Sequence, residues 1–327
     1  MKNYLITGGA GFIGSNFVRY MIDRYSNDDI NIIVLDKLTY AGNLENLKDN
    51  MDKIKFIRGD ICNQELLEYI FADYNIDYLI NFAAESHVDR SIVKPEIFMK
   101  TNVLGTQNLL NKAKDFWKIN QTEYKDRVKF LQVSTDEVYG SLGNEGYFNE
   151  SSILAPNSPY SASKASADMM VRAYKNTYNL PVNITRCSNN YGPYQYPEKL
   201  IPMIISNSLA DKEIPIYGDG KNIRDWIHVK DHCQAIDMVL HHGVSGEIYN
   251  VGDNNEISNV ELSKMILQIL GKPESLITFV SDRAGHDLRY ALDASKIKND
   301  IDWKAEYDFE EGLKETIEWY LNNKDWW

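Results

Sequence analysis

Along the first half of the chain, short apolar runs alternate with longer stretches in which apolar residues recur every three or four positions. The runs at 4–7, 30–35, 54–57, 78–82, 128–133 and 182–185 predict strands, and the patterns at 12–25, 65–74, 97–115 and 161–178 predict helices between them. Strands that alternate with helices are joined by crossovers, which build a parallel sheet covered on both faces. The predicted fold class is therefore α/β: a doubly wound parallel sheet of Rossmann type with a smaller C-terminal α/β lobe. After about residue 187 the texture changes, with Asn, Tyr, Pro and Gly crowding 188–197 and a strand-to-turn signal at Pro215-Ile216-Tyr217-Gly218-Asp219-Gly220. Ser258-Asn259-Val260-Glu261 is a capping box that opens a helix to about residue 270, closed by Gly271 with Pro273 beyond, and a further helix is predicted over 309–321. We divide the chain into a first domain, 1–187, and a second lobe, 188–327, with the segments near 217–227 and 247–252 returning to the first.

Composition narrows the partners. The 327 residues, 43% hydrophobic and 25% charged, are those of an ordinary soluble protein large enough for more than one core. A net charge of −12 argues against a nucleic-acid-coating surface, which needs clustered Lys and Arg, while leaving room for a small anionic ligand. Cys62, Cys187 and Cys233 are far apart and odd in number, so neither a disulfide framework nor a zinc knuckle is indicated. His228 and His232 are four apart but lack a third ligand of suitable spacing, and no metal is expected. An apolar strand pattern begins by residue 4 and no apolar run approaches membrane-span length, which predicts a cytoplasmic protein without a membrane partner.

The first candidate site is Thr7-Gly8-Gly9-Ala10-Gly11-Phe12-Ile13-Gly14, between the first strand and the first helix. Gly8, Gly11 and Gly14 let the chain turn tightly and let a pyrophosphate approach the N–H groups and positive dipole end of the helix. Asp36 ends the second strand 22 residues past Gly14, where a carboxylate accepts bonds from ribose hydroxyls and repels a 2′-phosphate, favouring NAD over NADP; Lys37 beside it weakens that preference. A glycine triplet alone says little, but a strand before it, a helix after it and an acid at the second strand end are three independent checks. Asp60-Ile61 after the third strand is placed to bracket the adenine, and Phe82-Ala83-Ala84 after the fourth is small enough for a cofactor to pass close.

The second candidate site is richer in chemistry. Ser134-Thr135-Asp136-Glu137-Val138-Tyr139-Gly140 ends a strand with a hydroxyl and two adjacent carboxyls, and Tyr160-Ser161-Ala162-Ser163-Lys164 begins twenty residues later. Tyr-x-x-x-Lys occurs three times, at Tyr160/Lys164, Tyr217/Lys221 and Tyr320/Lys324. Glycines interrupt the second and the third lies at the polar C-terminal end, so only the first opens a long helix. There Lys164 shares a helix face with Tyr160 and would lower its phenol pKa, making tyrosinate a base for an alcohol. Residues Asp136 and Glu137 have no such use in a simple oxidation. They suit a second proton-transfer step, and the backbone must leave strand geometry at Asp136 for both to face one site.

On Thr7 to Gly14, Asp36, Asp60, Tyr160 and Lys164 the chain resembles the extended short-chain dehydrogenase/reductase family over essentially its whole length. Within it, Thr135-Asp136-Glu137 is similar to the signature of the dTDP-glucose 4,6-dehydratases. Supporting matches are Asp36-Lys37-Leu38-Thr39-Tyr40-Ala41-Gly42-Asn43, Ala84-Glu85-Ser86-His87-Val88-Asp89, Asn189-Asn190-Tyr191-Gly192-Pro193 and Asp282-Arg283-Ala284-Gly285-His286-Asp287. Two positions depart from the family pattern: Ala284 stands where many members have proline, and Leu288 where some have arginine. Neither removes a group the chemistry needs.

The resemblance implies an NAD-dependent lyase of deoxysugar (rhamnose-type) biosynthesis acting on a nucleoside diphosphate glucose. Tyr160, Lys164 and Thr135 would serve oxidation at C4, Glu137 would take the C5 proton, and Asp136 would protonate the departing 6-hydroxyl. It adds Thr39, Ser86, Thr101 and Asn190 to the cofactor contacts. For the nucleotide sugar it implies Ser86, Thr135, Asn189, Lys199, Leu200, Pro215, Tyr217, Arg224, Asn250, Arg283 and His286, with the arginines on the pyrophosphate. It further implies a homodimer built on helices 97–115 and 161–178. The alternatives are a nucleotide-sugar 4-epimerase, which shares the cofactor, Tyr160 and Lys164 but has no need for an elimination pair, and an inactive nucleotide-sensing scaffold.

Overall fold

The computed structural model describes residues 1–26, 29–120 and 123–327. Six strands form where the apolar runs predict them: β1 (Lys2–Thr7), β2 (Ile30–Asp36), β3 (Ile54–Arg58), β4 (Tyr78–Asn81), β5 (Lys129–Thr135) and β6 (Val182–Cys187). The later strands are β7 (Asn189–Tyr191), β8 (Ile214–Tyr217), β9 (Ile223–His228), β10 (Ile248–Val251), β11 (Glu256–Ser258) and β12 (Ile277–Val280). The main sheet has the order β10-β6-β5-β4-β1-β2-β3, and every pairing in it is parallel.

Such a sheet buries both faces, so consecutive strand residues enter different cores. Ile6, Val34, Ile80 and Leu131 point to a cluster completed by Phe17 and Val18 of helix Phe12–Arg24 and by Ile236 and Val239 of helix Val229–His242. Their neighbours Leu5, Ile33, Leu79 and Phe130 point the other way, onto helices Gln64–Tyr74, Thr106–Trp117 and Pro159–Tyr178. Residues 223–227, which the sequence pattern returned to the main sheet, lie instead in a separate three-stranded sheet, β11-β9-β7, while β12 pairs with β8. A third cluster, with Ile204, Ile216, Trp226, Ile266 and Leu313, packs beneath these smaller sheets.

Helix ends obey local rules. Ser158 and Ser161 cap the helix that carries Tyr160, with Pro159 at its first turn; Ser258 and Glu261 form the predicted capping box of Asn259–Leu270, which Gly271 closes at φ +65°. The helix predicted over 97–115 is interrupted, because residues Met99–Gly105 form wide π-helical turns. Within them Asn102 is fully engaged: its side chain accepts from Glu85 N and donates to Glu85 O and to Ser163 Oγ. The widened turn ties the segment after β4 to the helix of Tyr160, and such turns are common beside functional sites.

Candidate active site

The strand ends β1 to β6 open at their carboxyl edge onto one cleft, the position where open α/β sheets bind ligands. Its lining includes Gly8, Gly11, Phe12, Ile13 and Gly14 from the first turn and Asp36, Lys37 and Thr39 after β2. It continues through Asp60 and Ile61 after β3, Phe82, Ala83, Ala84 and Ser86 after β4, and Thr101 of the π-helical segment. At the far end stand Thr135, Asp136, Glu137, Tyr160, Lys164, Asn189, Asn190 and Lys199. Residues scattered over nearly two hundred positions thus share one wall.

The cofactor end is shaped for close backbone approach. Gly8 has φ +70°, and a Cβ there would lie 2.6 Å from Ala83 N; a Cβ on Gly14 would lie 2.3 Å from Gly8 O. Asp36 accepts from Ala10 N at 2.9 Å and from Leu38 N at 2.7 Å, so the carboxylate shapes the phosphate-type turn as well as the strand end. A carboxylate accepts more than one hydrogen bond per oxygen, so these two leave it capacity for a ribose diol. The Lys37 ammonium is 2.8 Å from Asp60 and so is engaged with a carboxylate. This turn, this acid and the small residues at 82–84 fit a dinucleotide cofactor.

At the reaction end the chain leaves strand geometry at Thr135. Asp136–Tyr139 is one turn of 3-10 helix, capped by Thr135 Oγ1 on Glu137 N at 3.3 Å. That turn places both carboxyls in the same cleft. Their environments differ. Asp136 is 1% exposed, one carboxylate oxygen lacks a partner, and burial, with Glu137 and Asp225 adding to it, pushes its pKa well above the usual carboxylate range. Glu137 is also raised by burial, but the charges of Arg224, Arg283 and Lys199 oppose that rise. Both carboxyls are thus raised, Asp136 the more strongly, because cationic neighbours moderate the rise at Glu137.

Tyr160 is buried, and its phenol is pushed well up, first by burial and then by Glu137, Cys187 and Asp136, with a Thr135 hydrogen bond working the other way. Lys164 donates to Val133 O at 2.7 Å, so its ammonium is anchored on β5. Lys164, expected to lower the phenol, is not among its leading influences; burial and the acidic neighbours dominate, and the net shift is upward.

Not every predicted ligand residue reaches the cleft. Asn250 is fully buried behind it: its side chain accepts from Tyr139 Oη at 2.7 Å and donates to Phe148 O and Asp293 O, so the amide holds strands together. Leu200, at the start of helix Leu200–Leu209, packs on the third core, and Pro215 is an exposed residue of β8. Tyr217 donates to Asp89 at 3.1 Å and His286 lies 2.7 Å from Asp282, both outside the lining. Arg224 is buried against the Tyr290 ring and Arg283 is 3.7 Å from Asp89, and both act on Glu137 by charge. Conversely, Ser134, Gln195, Tyr196 and Glu198 line the cleft without having been singled out. Only the Asn/Tyr/Pro/Gly-rich texture of 188–197 hinted at the middle two.

A seven-stranded Rossmann-type sheet whose carboxyl edge carries Tyr160 and Lys164 beside a glycine-rich turn defines a short-chain dehydrogenase/reductase. Residues 5–316 match the family described as GDP-mannose 4,6 dehydratase, and the chain belongs to that family. It is 51% identical to the dTDP-glucose 4,6-dehydratase of Xanthomonas campestris pv. campestris (strain B100), covering 100% of this chain and 95% of that one. The crystal structure of the dTDP-glucose 4,6-dehydratase of Bacillus anthracis in complex with NAD is 53% identical, with TM-score 0.91 and coverage of 100% and 99%. DesIV, a dTDP-glucose 4,6-dehydratase of Streptomyces venezuelae solved with NAD bound, is 47% identical, with TM-score 0.93 and coverage of 99% and 98%.

Proposed function

We propose that the protein is a hydro-lyase that converts dTDP-glucose to its 4-keto-6-deoxy sugar nucleotide and water, with NAD as resident cofactor. The observation that carries this reading is the pair Asp136 and Glu137, held in one cleft with Tyr160, where burial raises both and cationic neighbours moderate the rise chiefly at Glu137. A 4-epimerase would need Tyr160 and Lys164 but has no step for an acid and a base at C6 and C5.

Bound NAD supplies the place where the C4 hydride is held and from which it returns to C6. Gly8 to Gly14, Asp36, Asp60 and the small residues at 82–84 would hold it. Tyr160 takes the O4 proton as the C4–H bond breaks, Thr135 orients the same oxygen, and Lys164 stabilises the phenolate. The new 4-ketone acidifies C5–H. Glu137 removes that proton, the C6–O bond breaks, and Asp136 gives its proton to the leaving hydroxyl, which departs as water. Glu137 returns its proton to C5, the phenol of Tyr160 releases the proton it took from O4 to solvent, and Asp136 takes one up, so that all three groups are restored for the next turnover. Lys199 of the cleft wall, with Arg224 and Arg283 behind it, supplies positive charge suited to a pyrophosphate, and the same charges moderate the rise at Glu137.

A homodimer completes the reading. Val93, Met99, Leu104 and Met169 are 76%, 47%, 53% and 43% exposed, an apolar face on adjacent helical segments that a second copy would cover. The function is tested by incubating the purified protein with dTDP-, UDP-, CDP- and GDP-glucose side by side and weighing the products. Loss of one water from the dTDP sugar is expected, and a product of unchanged mass would refute the reading.

A further inference from the structure

Behind the reacting groups lies a charged pair that the scheme above leaves unused. Asp168 stands one helical turn after Lys164 on the same face of Pro159–Tyr178, and Arg186 reaches it from β6 with Nε 2.9 Å from Oδ2. The two side chains are 0% and 2% exposed. Arg186 also donates to Tyr139 Oη at 2.9 Å, and Tyr139 donates onward to Asn250 at 2.7 Å. This chain of bonds links the helix of Lys164, the strand beside β5, the turn after Asp136–Glu137 and β10. A buried ion pair is seldom kept for stability, since apolar residues of equal volume serve as well or better. The second oxygen of Asp168 is sealed from water, with the Ser134 hydroxyl as its polar neighbour.

From this geometry we infer that Asp168 is a positioning residue for the proton transfer: its charge keeps the buried Lys164 protonated, and Arg186 keeps Asp168 ionised and aimed. The inference rests on Tyr160 and Lys164 carrying the first step. Burial works to strip the proton from Lys164, and Asp168 is the foremost group opposing that loss, with Cys187 at the end of β6 second. Tyr160, one turn earlier, faces Glu137, Asp136 and Cys187, and Asp168 in turn faces Arg186 and Lys164. Burial also raises Asp168 itself, and Arg186 is the leading group that holds it down. Without that guanidinium the rise caused by burial would go less opposed, and the negative field of Asp168 at Lys164 would weaken.

The test replaces both partners, so that no uncompensated charge is left inside. Asp168→Leu/Arg186→Met is one pair and Asp168→Asn/Arg186→Gln a second, in case either fails to fold. In both, the alkaline limb of the pH profile for cofactor reduction by dTDP-glucose is expected to move down by about one unit. The Lys164 side chain, followed by NMR of 13C-labelled lysine and assigned by its loss in Lys164→Arg, should titrate at correspondingly lower pH. Arg186→Lys, which keeps the charge, should lower the melting temperature and leave the limb in place. A wild-type limb and a wild-type lysine titration in a folded double variant would overturn the inference. If wild-type protein never reduces its cofactor with dTDP-glucose, the proposed function fails instead, and the lysine titration still decides the role of Asp168.

Discussion

The two ends of the cleft are built by different means. At the cofactor end, contacts are made by backbone groups close in sequence or in adjacent strands: Asp36 to the N–H groups of Ala10 and Leu38, and Gly8 folded against Ala83. At the reaction end, the side chains come from separate elements, and what they do depends on burial and on charges delivered from β9 and the 282–287 loop. The first end is a shape that a short motif can encode. The second is an electrostatic field that only the whole molecule produces. Damage to the two should therefore look different: loss of affinity at one, loss of particular chemical steps at the other.

Tyr160→Phe should break the reaction end most severely. A loss of kcat on the order of a thousandfold is expected, with cofactor still bound but no reduced-cofactor absorbance in a single turnover. Reduction at the wild-type rate would reassign the base. Glu137→Gln separates the two steps: cofactor should still be reduced by dTDP-glucose, but water loss should slow roughly a hundredfold or more, so the absorbance accumulates. Elimination at the wild-type rate would remove Glu137 from the scheme.

Asp36→Ala probes the other end. NAD affinity should fall roughly 10- to 100-fold, from lost charge-assisted bonds and a loosened turn, while kcat at saturating NAD changes little. An equal loss of kcat, measured with NAD in excess, would show that the two ends are not separable.

Smallest is an effect of pH on stability. Burial raises the pKa of Asp225 to about 7, and its ionisation bears on Asp136. The folded chain thus binds an extra proton between the ordinary value of 3.8 and about 7. The stability from this group is complete below the lower value and is lost as pH rises through the higher. Asp225→Asn cannot ionise, so its melting temperature should match wild type below the ordinary value of 3.8 and pull ahead as pH rises toward about 7, exceeding it by about 2–4 °C near pH 8. A constant difference across that range would place Asp225 outside this balance.

Much of the scaffold is legible in the sequence because its causes are local. Apolar runs of strand length, the Ser258/Glu261 cap and the Gly271 stop each act within a few residues, and they stand where the pattern puts them. The π-helical turns at 99–105 escape the pattern because Asn102 is held by partners at 85 and 163, which no local rule sees. Asn250 fails for a related reason. A polar residue near a site reads the same in sequence whether it faces a ligand or, as here, Tyr139 and two buried carbonyls.

By itself the sequence determined the parallel sheet, the glycine-rich turn and the acid at the second strand end, and it supplied the side chains we assign to the reaction. Backbone sterics, periodicity and chemical type are properties of residues and their near neighbours. The tertiary structure alone decided which of two adjacent carboxyls is raised the more, where Lys164 is anchored and which arginines act on Glu137. Those outcomes follow from dielectric and charge, which come from residues distant in the chain and exist only once the cores have closed.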